Sequence, residues 1–107
     1  ILTNSEVVIY NFETKTYSKK FQKSMQKYEV KTRAQGLADI LKDGSMMVEE
    51  QQAGRILFFN TNGEIEWEFI NKAKNNKIFI LEWSRIIEDD ILIKKLNKII
   101  KNKKCIN

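Results

Sequence analysis

Glu49, Glu50 and Arg55 stand in one short stretch, VEEQQAGR (48–55), where carboxylates beside a guanidinium could do acid–base work or hold an anion. The stretch is strand-like, and neighbours on a strand point to opposite faces, so Glu49 and Glu50 cannot both reach one bond. A carboxylate pair of the glycosidase kind, which must flank a single bond, is therefore not expected. Arg55 keeps two readings. It pairs with Glu49 or Glu50 across the Ala53-Gly54 turn, or its planar, permanently charged fork holds two oxygens of an anion. Arg85, in LEWSR (81–85), carries the same two readings. Trp83 beside it is either a wall aromatic or a surface on which a substrate ring stacks.

Other constellations are weaker. Glu64, Glu66 and Glu68 alternate with Ile65, Trp67 and Phe69, so the three carboxylates should share one wet face. Successive members would sit roughly 7 Å apart, too wide to chelate a metal without other ligands. No phosphate-cradling glycine loop, calcium loop or zinc pattern occurs, and no metal is expected. The chain has no histidine, which excludes Ser-His and Cys-His nucleophilic pairs built from this sequence alone. Its single cysteine, Cys105, cannot form an internal disulfide.

The elements that would position these residues follow from glycine punctuation. Asp43-Gly44, Ala53-Gly54 and Asn62-Gly63 recur about every ten residues, with strand-like runs between them. Asn-Gly is a strong hairpin signal because a type I′ turn needs two positive φ angles. Four antiparallel strands are expected near 37–42, 46–51, 55–60 and 64–70, as a meander, and RILFFN reads as a strand buried on both faces. VIYNFETKTYSKKF (8–21) aligns with ILFFNTNGEIEWEF (56–69) at an offset of 48, turn upon turn. A four-stranded repeat of 40 to 50 residues is the size of a β-propeller blade. The expected class is all-β, with one full blade and one or two partial blades of a propeller and a C-terminal amphipathic helix. The divisions are 1–21, an outer hairpin of a preceding blade; 22–35, a polar linker with helical character near SMQKYEV; 36–71, the four-stranded blade; 72–88, a further strand at about 77–83; and 89–107, helix and basic tail.

That last segment starts at Asp89 or Asp90, either of which can cap a helix, and Leu92, Leu96, Ile99 and Ile100 form one apolar stripe. The stripe is expected to pack on the chain's own sheet, and contact with a membrane is not expected. The net charge of +5 resides in this tail: residues 94–107 hold six lysines and no acid, and the other 93 residues carry −1. Such a distribution gives the folded part no basic face, so nucleic acid is not an expected partner. No apolar stretch approaches the roughly 20 residues of a membrane helix. The first residues, ILTNSE, have neither a start methionine nor a signal-peptide pattern, and the chain reads as a piece of a longer one.

QGLADILKDGSMMVEEQQAGRILFFNTNGEIEWEFINKAKNNKIFILEWSRII (35–87) resembles the C-terminal blades of the arylsulfotransferase family, more faintly from Glu6 to Arg33. The resemblance implies a quinoprotein-like β-propeller, bacterial and periplasmic or secreted. It implies transfer of a sulfuryl group between phenolic compounds with no nucleotide donor and no cofactor, through a transiently sulfated histidine helped by cations. That histidine is not in this chain, so no catalytic residue is assigned here and no catalysis by the chain alone is expected. Arg55, Arg85 and Trp83 remain as candidates for binding anion or substrate. The implied partners are the remaining blades and an aryl sulfate or phenol. A non-catalytic propeller that binds a ligand or a protein is the alternative, and a lysine-tailed β module docking on acidic surfaces is a third.

Overall fold

The computed structural model describes residues 4–103, so Cys105 and the end of the basic tail lie outside the described residues. Strands β3 (Gly36–Ile40), β4 (Met46–Glu50), β5 (Arg55–Phe59) and β6 (Ile65–Ile70) form one antiparallel sheet in chain order. The expected meander is there, within two residues at each end. A separate hairpin, β1 (Ile9–Asn11) and β2 (Thr16–Ser18), precedes it, joined through the short helix α1 (Gln22–Lys27). Helix α2 (Asp90–Lys101) follows. The chain is thus mainly antiparallel β, with a C-terminal helix.

The turns explain the meander. At Asn60, one side-chain oxygen accepts from the amides of Asn62 and Glu64, both at 3.0 Å, and Gly63 takes φ 80°. Gly54, between β4 and β5, has φ 56°, and a Cβ there would lie 2.2 Å from the carbonyl oxygen of Phe79. Only glycine admits both that backbone and that neighbour.

Residues of β4 alternate between two buried surfaces, so the strand sealed on both faces is β4 and not, as expected from RILFFN, β5. On one face Met46 and Val48 join Leu57 and Phe59, and Phe21, Met25 and Val30 close over them. Two of these, Met25 and Val30, come from the stretch expected to be a polar linker. Apolar burial at this scale contributes about 1.5–3 kcal/mol per large side chain, so that stretch is part of the core. On the other face, Met47 and Glu49 lie beneath the irregular chain 77–88.

Three further expectations are corrected. The strand at about 77–83 does not form. Its amides at Phe79 and Leu81 bond to the carbonyls of Asn71 and Gln51, at 2.9 and 3.1 Å, instead of joining a strand edge. Trp83 then takes a left-handed φ of 60°, which a β ladder does not accommodate; only the bridge Lys72–Ile78 remains. The strict alternation expected for β6 is broken as well. Trp67 pairs with Phe58 but Ile65 pairs with Phe59, leaving Glu66 as a bulge. Ile65 therefore packs on the core while Trp67 stacks on Phe58 across the opposite face, their rings 5.2 Å apart. Finally, α2 does not pack on the sheet: none of its residues is buried. One face of the sheet is covered by β1 to Val30; the far side of β6 leaves Trp67 and Phe69 40% and 46% exposed, and α2 does not lie on it.

Candidate functional site

Arg55 is built into the core-side face. It sits opposite Glu50 in the β4–β5 register, and its Nε donates to that carboxylate. Nη2 donates to the carbonyl of Tyr28 at 3.2 Å, and Nη1 lies 3.6 Å from Glu68. Glu50 is 2% exposed and also accepts from the Lys31 amide at 2.6 Å. Burial pulls the Arg55 pKa down, but the bond to Glu50, then the charges of Glu50 and Glu68, outweigh it and raise it. The guanidinium is engaged on three sides by protein oxygens. Its geometry is that of the ion pair, with little left to grip an anion.

The opposite face carries a cavity of about 360 Å³ between the start of β3, the end of β4 and the loop at 82–83. Leu37, Ala34 and Trp83 give it apolar walls, and Glu49, Gln51 and Glu82 give it acceptors and a donor. Glu49 is 97% buried (3% exposed), and one carboxylate oxygen accepts from the Ser84 amide at 2.7 Å. Its other oxygen makes no side-chain hydrogen bond among the described residues and is not sealed from solvent; the fully buried side-chain oxygen left without a partner is Gln22 Oε1. Gln51 donates to Glu82 at 3.0 Å and so fixes one side of the opening. Trp83 is 80% exposed, and the Arg85 guanidinium stands 5.5 Å from its ring centre, a cation–π distance.

Of the three candidates, then, the structure puts Trp83 in the cavity wall with Arg85 beside its ring, and sets Arg55 on the other side of the sheet. Glu49 and Glu50 part in the same way, as neighbours on a strand must. Sequence reasoning weighed Glu49 only as half of an acid–base pair or as a partner for Arg55, and passed over Gln51 and Glu82. The signal was available for Glu49 and Gln51, since residues two apart on a strand share a face; nothing local announced that residues 82–84 would fold back over them. Among the described residues, no three His, Cys, Asp or Glu side chains gather as a metal site.

The fold is an antiparallel meander preceded by a hairpin, with a cleft lined in part by Trp83 at one end of the sheet. The sequence pattern of the family described as Arylsulfotransferase (ASST) matches residues 1–72, more than half of the chain, and the chain belongs to that family. The match takes in the N-terminal hairpin, where the resemblance is faint, and stops before Trp83 and Arg85. Searches of curated proteins and of solved structures give no match.

Proposed function

We propose that this chain is the C-terminal part of an arylsulfotransferase-like β-propeller and supplies one wall of a site for phenolic compounds. The sulfuryl group passes between phenols through a histidine carried by blades outside this sequence, in a bacterial periplasmic or secreted protein. The blade reading draws support from the two hairpins. Lys15 at φ 55° and Gly63 at φ 80° are 48 residues apart, and each is the left-handed residue that closes its turn. Asn11 and Asn60 each cap their turn through a side-chain oxygen.

The observation that carries the site reading is the cavity under Trp83. A phenol ring fits between the indole and Leu37, and its hydroxyl donates to the unpartnered oxygen of Glu49. Arg85, beside Trp83 and bonded to the neighbouring Ser84 carbonyl at 3.1 Å, is the cation offered to a sulfate oxygen, because Arg55 is already held by Glu50. The test is titration of the chain with 4-nitrophenol and with 4-nitrophenyl sulfate, followed by indole N–H NMR signals. Glu49→Gln and Trp83→Leu should each weaken 4-nitrophenol binding by about three- to tenfold, the worth of one hydrogen bond or one contact, while Arg55→Lys leaves it unchanged. Arg85→Gln should weaken the sulfate ester more than the phenol. Absence of binding, or binding indifferent to both cavity substitutions, sinks the reading.

A second reading, a propeller that binds a ligand or protein without catalysis, is favoured by one feature: this chain has no histidine. A complete gene with no histidine on an inward strand decides for it.

A further inference from the structure

The apolar stripe of α2 is uncovered. Leu92, Ile99 and Ile100 are 43%, 55% and 65% exposed, and no residue of the helix is buried. With Ile93 and Leu96 they occupy an arc of roughly 120° at 3.6 residues per turn. Lys94, Lys95, Lys98 and Lys101 fall on the opposite side, and beyond Asp90 the helix contains no acid. Asp89 caps the first turn, accepting from the Leu92 amide at 2.8 Å, so the helix is locally specified without support from the sheet. The sequence led us to expect the sheet as the stripe's partner; in the structure no residue of the helix is buried against it.

We propose that α2 is an interfacial helix that lies on an anionic lipid surface. The occupant is selected by charge. A neutral apolar groove in a protein would take the stripe but has no use for four lysines on the far side and flanks. An anionic bilayer takes both, the aliphatic side chains at the acyl boundary and the lysines at the headgroups. The helix cannot cross: none among the described residues is long and apolar enough. Its role is to hold the β-sheet module at a membrane surface, independently of what the cavity binds.

The experiment is co-sedimentation of the full chain with large vesicles of phosphatidylcholine alone or mixed with phosphatidylglycerol. Binding should rise by at least about tenfold with the anionic lipid and fall steeply with added salt. Leu96→Glu, in the middle of the stripe, should abolish it. Replacing Lys94, Lys95, Lys98 and Lys101 by Gln should remove the preference for anionic lipid. Since α2 contributes nothing to the core, circular dichroism of the sheet and the urea midpoint should be unchanged in both variants. Equal binding to neutral and anionic vesicles overturns the proposal, as does binding that survives Leu96→Glu. So does a dimer, seen by sedimentation velocity and dissolved by Leu96→Glu, since the stripe would then belong to a second copy. Salt-sensitive binding to DNA with none to vesicles also overturns it.

Discussion

Glu50 and Arg55 face each other across β4 and β5, one 2% exposed and sealed in the sheet, the other reaching from the first residue of β5 to neutralise it. A buried carboxylate is tolerable only while its partner and its hydrogen bonds remain. Arg55→Met should therefore destabilise the chain by about 3–5 kcal/mol in urea unfolding. The double change Glu50→Leu with Arg55→Met should recover most of that loss, because no charge is left stranded. A small loss in Arg55→Met would show that the arginine is not structural and return it to the list of anion binders.

Gly54→Ala tests the close approach of residues 78–79 to the β4–β5 turn. The new methyl group meets the Phe79 carbonyl oxygen and the Ile78 side chain, and the left-handed backbone is strained for alanine as well. A loss of about 2 kcal/mol or more is expected, with rising amide exchange at Leu81, whose bond to Gln51 is pulled away. Alanine at wild-type stability would mean that residues 77–88 do not lie on the turn.

Met25→Ala asks whether the segment before the sheet belongs to it. Met25 is 1% exposed in the cluster with Phe21, Val30 and Phe59. Deleting a side chain of this size from a core costs about 2–5 kcal/mol. A value near zero in thermal or urea unfolding would make residues 4–30 an appendage.

Asp43 supplies a pH dependence. Its carboxylate accepts from the Ser45 hydroxyl, the largest cause, and from the Ser45 amide, and these bonds lower its pKa below the usual 3.8. Because the folded value is the lower one, its contribution to stability is complete above the unfolded pKa and is lost as pH falls through the folded value. Carboxyl NMR should show Asp43 titrating below 3.8, and Ser45→Ala should move it back towards that value.

Much of this was legible along the chain. Gly44, Gly54 and Gly63 marked the turns because each requires a backbone that other residues resist, and turn chemistry is local. The cap at Asp89 was legible for the same reason. What could not be read was anything decided at a distance. Trp67 and Ile65 sit two apart and should share a face, yet a single extra residue puts them on opposite ones. Met25 and Val30 are apolar residues in a polar stretch, and only the uncovered face of β4 and β5 gives them a destination. The cavity needs Glu49 and Ser84, 35 residues apart, and no spacing rule predicts where an irregular segment returns.

The bulge at Glu66 gives β6 two phases in one strand: Ile65 keeps time with the core, and Trp67 and Phe69 with the far side. Substitution at Glu66 is cheap, since its side chain is exposed. Deleting it should be nearly as cheap, because Ile65 and Trp67 would then be neighbours, and neighbours on a strand already point to opposite faces. What the extra residue supplies is the local bend and twist beside Phe58 and Phe59, not the division of faces. Homologous chains should accordingly vary at this point in the count as well as in the letter.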